Sequence, residues 1–346
     1  MTSTVNTDTD TTPAGDDTAV SDAGRPIDLV CEGGGVKGLG AAGATAKLLD
    51  AGYRVERAAG TSVGAIAAAV AAAGADSATL RSIMRELSLA AVPDRGFPGV
   101  PLLSETIGLF RSRGAFRGEY LRHWLAEELA KLDVTTFETL RRNDPGDDQT
   151  TPLHQRWKLV VLATDVTHGR LLRLPWDYEE RFGLNPDKQQ VADAVRMSLS
   201  IPLFFEPRTL TGRTPEEHAV VVDGGVLSNF PVQIFDRTDG LPSRWPTWGV
   251  RLFTDLPGAL DTDLPGKVAG VVPPVQLARQ VIATALMGHD RVHLDEPGVR
   301  ERMISVNTSG VGITEFGIDE ARQQMLLDRG RAAAEKFLRE WEAAHP

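Results

Sequence analysis

Two glycine-flanked turns and one aspartate supply the residue types from which an acyl-transfer site can be built. Ser62 lies in Gly60-Thr61-Ser62-Val63-Gly64, between a short apolar strand and an alanine-rich helical run. A serine in a Gly-x-Ser-x-Gly pentapeptide occupies a sharp strand-to-helix turn, where small neighbours let the backbone fold tightly and expose Oγ. The following helix points its N-terminus at the turn and favours developing negative charge. The plainer reading of the same residues is a helix N-cap serine between glycines.

The second turn is Gly33-Gly34-Gly35-Val36-Lys37-Gly38, which follows an apolar strand and opens a helix. Its unshielded backbone N–H groups form an anion-binding nest, suited to the oxyanion of a tetrahedral intermediate. The same residues spell a dinucleotide fingerprint, Gly33-x-Gly35-x-x-Gly38, with Glu56 as a candidate ribose-binding acid at the end of the next strand. Against that reading, the next strand leads directly into the Ser62 turn, which a dinucleotide fold does not need. No Gly-Lys-Ser/Thr closes the loop, so it is not a Walker loop.

Asp223 ends the apolar run Ala219-Val220-Val221-Val222 and precedes Gly224-Gly225. A carboxylate at the carboxyl end of a buried parallel strand lies where open α/β sheets place their sites. An Asx turn explains the same Asp-Gly without function. A serine nucleophile normally needs a base, and histidine is the usual one. Of the seven histidines three follow Asp223 in a Ser–Asp–His order: His345 lies at the frayed end of the chain, and His289 and His293 sit among Asp290, Arg291, Asp295 and Glu296, as on a solvated helix end.

Taken together and in order, the two glycine turns, Ser198-Leu199-Ser200-Ile201-Pro202 and Asp223-Gly224-Gly225 resemble the patatin-like phospholipase family. Ala163-Thr164-Asp165 and Asn229-Phe230-Pro231 extend the likeness, which covers 27–253. The resemblance implies a three-layer α/β/α fold with a mostly parallel central sheet and a lipid acyl hydrolase working through a Ser–Asp dyad. Ser62 would be the nucleophile and Asp223 the base, and the amides of Gly34 and Gly35, with neighbouring Gly33, would form the oxyanion hole. No cofactor or metal is implied. The expected partner is a lipid or ester substrate, met at a membrane surface. Glu32 departs from the family pattern, in which many relatives carry Asp or another residue before the glycines, and this puts nothing catalytic in doubt. A silent lipid-binding protein of the same fold is the non-enzymatic alternative.

The elements that must position these residues follow from apolar patterning. Strands are predicted over 27–31, 53–59, 158–165, 169–174, 219–222, 249–253 and 303–306. Helices are predicted over 77–89, 102–110, 119–132, 191–197, 275–287 and 319–341, with a further run over 65–73. The unbroken apolar centre Leu159 to Ala163 marks a strand buried on both faces. Strands alternating with helices indicate an α/β sheet. The apolar 102–110 segment reads either as a wall for an acyl chain at a membrane or as a helix packed on the core. Arg111, Arg113 and Arg117 beside it are either head-group ligands or solvated charges.

Composition narrows the remaining choices. The chain has 346 residues, 42% hydrophobic and 24% charged, so it can bury a sizeable core. The net charge of −10 argues against nucleic acid as a general partner. Cys31 is the single cysteine, which fits a reducing compartment. No apolar run approaches the roughly 18 residues of a transmembrane helix. The first 25 residues are acidic, polar and without an apolar stretch, which predicts a disordered tail rather than a signal peptide. A single domain over 26–346, placed in the cytoplasm, is the expectation.

Overall fold

The computed structural model describes residues 24–94, 114–254 and 298–345, with a few further positions between 277 and 285. The predicted tail, the 102–110 segment, Arg111, Arg113, His289, His293 and most of the 275–287 helix lie outside the described residues.

The chain opens with the two consecutive strand-to-helix units that the sequence suggests. Strand β1 (Arg25–Cys31) leads through a 3-10 turn (Gly35–Lys37) into helix α1 (Gly38–Asp50). Strand β2 (Tyr53–Thr61) leads straight into α2 (Val63–Ala72). Every residue of α2 is buried. That is the consequence of a run apolar on all sides, which has no face to give to water. Helix α3 (Ser77–Glu86) is capped by the Asp76 carboxylate, which accepts from the Thr79 N–H at 2.7 Å.

The order then runs β3 (Gly114–Phe116), α4 (Glu119–Ala130), β4 (Leu159–Asp165), β5 (Arg170–Leu174), α5 (Asp177–Phe182) and α6 (Val191–Ser198). It continues through β6 (Leu203–Phe205), β7 (Arg208–Leu210), β8 (Ala219–Asp223), β9 (Thr247–Phe253), β10 (Met303–Asn307) and α7 (Glu320–Ala344). The main sheet is mixed and mostly parallel, and helices flank it. Its order is β10-β9-β1-β2-β4-β8-β7, with β5 also on β4, while β3 and β6 form a separate ribbon. β1, β2, β4, β9 and β10 are mutually parallel.

One prediction is corrected. β8 pairs antiparallel with β4 and β7, so Asp223 does not end a parallel strand. Register, not direction, brings it to the site. β4 has β5 along one edge, paired over Val161–Asp165. Its other edge is shared by two strands meeting tip to tip: β2 ends with Thr61 opposite Leu162, and β8 ends with Asp223 opposite Ala163. The last residues of β2 and β8 therefore abut along β4, and Ser62 emerges at that junction.

α1 and α7 cross at backbone distance behind the sheet. A Cβ on Gly43 would lie 2.1 Å from the Leu327 carbonyl oxygen, and one on Gly330 would lie 2.0 Å from that of Gly40. Trp248 of β9 fills the adjoining space against Phe337 and Trp341 of α7.

Candidate active site

Ser62 is the residue between β2 and α2, with φ of 52° and ψ of −130°. A side chain in this left-handed region is strained, and it persists only where the surroundings fix it. Two bonds do so. The Ser62 carbonyl accepts from the Ala65 N–H at 2.9 Å, and the Ser62 N–H donates to Ser198 Oγ at 2.8 Å. Oγ itself is buried and has no hydrogen-bond partner of normal geometry among the described residues.

Asp223 is fully enclosed at the tip of β8. Oδ1 accepts from the Gly225 N–H at 2.8 Å, so the Asx turn is real. Oδ2 is buried without a hydrogen-bond partner of its own among the described residues. Burial pushes the Asp223 carboxyl up to about 7, against the opposing pull of the Ser62 hydroxyl and the Gly225 N–H. The Ser62 hydroxyl thus lies near enough to favour the carboxylate, without an aligned hydrogen bond to it. A carboxyl with this pKa is a competent base near neutrality.

The turn after α6 ties the two tips together. Ser198 accepts from the Ser62 N–H, and the Ser200 carbonyl accepts from the Asp223 N–H at 2.9 Å. Arg196, also buried, braces the turn from behind. It donates to Ser200 Oγ at 2.7 Å, to the Glu206 carbonyl at 3.0 Å and to the Arg117 carbonyl. Burial, helped by nearby Arg208, lowers the Arg196 pKa to about 10. The sequence displayed this segment as a motif but gave neither serine a role, and Arg196 was not singled out.

The glycine loop is held by Asn229. Its side chain donates to the Gly33 carbonyl at 3.0 Å and to Glu32 Oε1 at 3.3 Å, while its carbonyl accepts from the Gly33 N–H at 3.3 Å. Gly35 has φ of +54°, and a Cβ there would lie 1.9 Å from the Ile313 oxygen, which accepts from the Val36 N–H. The Gly34 and Gly35 N–H groups have no hydrogen-bond partner among the described residues.

Ser62, Asp223 and Gly33, Gly34 and Gly35 line one cavity of about 250 Å³, with Asn229, Arg251 and Leu252 among its other walls. The residues selected from sequence are thus brought together. A larger cavity of about 750 Å³, walled by Arg57, Trp176 and Phe235, contains neither Ser62 nor Asp223. Glu56 is not placed to bind a ribose. β2 runs on past it to Thr61, and its carboxylate pairs with Arg142 at 2.9 Å and Arg54 at 2.6 Å. No described histidine bonds to Ser62 or Asp223; His168 pairs with Asp165 instead. No group of metal-ligating side chains occurs among the described residues.

The family model described as patatin-like phospholipase matches residues 29–236. YqhO of Bacillus subtilis is 33% identical over 316 residues, which is 91% of this chain and 99% of YqhO. The NTE family protein Rv2565 of Mycobacterium tuberculosis is 25% identical over 331 residues, 91% of this chain and 47% of its own length. This chain therefore spans about half of that relative. Among solved structures, VipD from Legionella pneumophila aligns over 92% of this chain and 67% of VipD, with 17% identity and a TM-score of 0.49. A chain of the ExoU–SpcU complex from Pseudomonas aeruginosa aligns over 92% of this chain and 52% of its own length, with 19% identity and a TM-score of 0.46.

Proposed function

The chain belongs to the patatin-like phospholipase family, and from that membership and the site's geometry we propose that it is a serine lipid acyl hydrolase with a Ser62–Asp223 dyad. The observation that carries the reading is the tip-to-tip meeting of β2 and β8 on β4, which sets a strained serine beside a buried carboxylate in one cavity.

The Asp223 carboxylate takes the Ser62 proton as Oγ bonds to the ester carbonyl carbon. The carbonyl oxygen becomes an oxyanion, stabilised by the Gly34 and Gly35 N–H groups and the N-terminus of α2. Gly33, whose N–H is engaged by Asn229, shapes the loop rather than donating. Collapse breaks the ester C–O bond, and the leaving alcohol takes the proton from Asp223. Water then attacks the acyl-enzyme, giving one proton to Asp223. Collapse of the second intermediate releases the fatty acid and returns that proton to Ser62 Oγ.

The substrate class is a lipid acyl ester, handled by a single domain over 26–346. No described helix is long and apolar enough to cross a membrane. The decisive experiment is fluorophosphonate labelling with p-nitrophenyl acyl ester hydrolysis, on wild type, Ser62→Ala and Asp223→Ala. Labelling lost in Ser62→Ala and hydrolysis lost in both is the expected result. A folded wild type that neither labels nor hydrolyses would favour a silent lipid-binding protein instead.

A further inference from the structure

The cavity holds one arginine that the ester chemistry does not use. Arg251, near the end of β9, lines the same cavity as Ser62, Asp223 and the glycine loop and is half-buried. It has no hydrogen-bond or ion-pair partner among the described residues. Other arginines within the fold are paired: Arg57 with Asp28, Arg142 with Glu56 and Asp147, Arg173 with Asp177, and Arg302 with Asp236. The acids that share its cavity are otherwise occupied. Glu32 accepts from Asn229 and from the Leu252 N–H, and Asp223 faces Ser62 and Gly225. A guanidinium presents five N–H donors in a planar fork and accepts nothing, so its natural complement is a carboxylate or phosphate. Half-buried and without such a complement among the described residues, it offers its fork of donors to the cavity.

The surroundings say which part of a lipid would supply it. A narrow apolar crevice walled by Val36, Leu39, Ile66, Met84 and Phe205 shares Gly35 and Ile201 with the cavity. Its volume of about 20 Å³ is too small for an acyl chain as it stands, so it marks the apolar side of the site rather than a lodging, and Arg251 does not line it. The cavity's own volume of about 250 Å³ suits a glycerol ester with a compact head group. We propose that Arg251 is a specificity-determining residue that binds the phosphate of the substrate head group, so that the protein selects phosphate-bearing acyl esters over neutral glycerides. This deepens, and rests on, the reading of the cavity as an ester hydrolase site. Arg251 also lies beyond residues 29–236, so the selectivity belongs to a part of the chain that the family model does not reach.

The test separates binding from turnover. Octyl phosphate, 1-O-octylglycerol and inorganic phosphate are titrated calorimetrically, below any micelle concentration, into wild type, Arg251→Met and Arg251→Lys. Loss of a charge-assisted, bidentate contact is expected to weaken octyl phosphate about tenfold to a hundredfold in Arg251→Met, with partial recovery in Arg251→Lys. Octylglycerol binding should not change. Equal weakening of both lipids, or none for octyl phosphate, overturns the proposal, as does inorganic phosphate binding as tightly as octyl phosphate. In parallel, Arg251→Met should lower kcat/KM for a lysophosphatidic acid by a similar factor and leave a monoacylglycerol of the same chain unaffected. A wild type that hydrolyses neither lipid would overturn the hydrolase reading, while the titrations still decide the phosphate subsite.

Discussion

The backbone N–H of Ser62 donates to the hydroxyl of Ser198 at 2.8 Å, and two residues along the same turn the Ser200 carbonyl accepts from the Asp223 N–H at 2.9 Å. One short segment therefore holds the main chain at both strand tips. Ser62 needs such a hold, because its φ of 52° is unfavourable for a side-chain-bearing residue. Ser198→Ala removes the acceptor and leaves a buried N–H unsatisfied, a penalty of about 1–3 kcal/mol. Part of that should fall on the alignment of Oγ. Fluorophosphonate labelling is expected to slow about tenfold or more, while the acid limb of the pH profile stays where it was. Labelling at the wild-type rate would show that the turn is not what fixes Ser62.

The second prediction follows from the Asp223 carboxyl, which burial holds up to about 7. The reaction needs the carboxylate. Activity should therefore be full above that pH and fall about tenfold per unit below it, a single ionisation on the acid side. Residual hydrolysis by Asp223→Asn should lack the limb. A kcat/KM profile flat down to pH 5 in wild type would remove Asp223 as the base.

The same shift makes a stability prediction of opposite benefit. The folded pKa lies above the unfolded value near 3.8, so the folded protein binds this proton more tightly. Stability from the group is present below pH 4 and is lost as pH rises through about 7. Asp223→Asn keeps the shape and cannot ionise. It should match wild type at pH 4 and exceed it at pH 8 by a few kcal/mol, since each pKa unit corresponds to about 1.4 kcal/mol. Thermal melts at the two pH values measure the difference. A gap that did not widen with pH would mean that Asp223 carries no such penalty.

How legible the site was depended on whether the clue was local. Ser62, Asp223 and the glycine loop were readable as candidates because each motif needs particular residues within five or six positions, and the strands at 27–31 and 158–165 were readable from their apolar runs, broken by Asp28 in the first and continuous over Leu159–Ala163 in the second. The direction of β8 was not. Val220, Val221 and Val222 report burial, and burial is the same in a parallel or an antiparallel neighbour; the register against Ala163 exists only in the folded sheet. Arg196 and Arg251 were missed for a related reason. Each is a lone charge in an apolar stretch, and its meaning lies in what stands opposite it: carbonyls and a hydroxyl for Arg196, no described partner for Arg251.

The last prediction separates the loop from the scaffold by two substitutions of the same size. At Gly35 a methyl group meets the Ile313 oxygen at 1.9 Å, and φ of +54° disfavours any side chain. The strain sits in the loop that carries the Gly34 and Gly35 amides, which have no partner among the described residues, so the loop should shift rather than the sheet. Gly35→Ala is expected to lower kcat a hundredfold or so, the effect of losing an oxyanion donor, with a small fall in Tm. At Gly43 the added methyl meets the Leu327 oxygen at 2.1 Å, backbone against backbone, in the crossing of α1 and α7. Neither helix can move away without lifting from the sheet, so overpacking should cost about 1–3 kcal/mol. The molecules that remain folded keep both strand tips and the loop, so Gly43→Ala should lower Tm and leave kcat per active site, counted by fluorophosphonate titration, near wild type. If Gly35→Ala turned over normally, the oxyanion would have to be held elsewhere, and the Gly34–Gly35 assignment would fall with it.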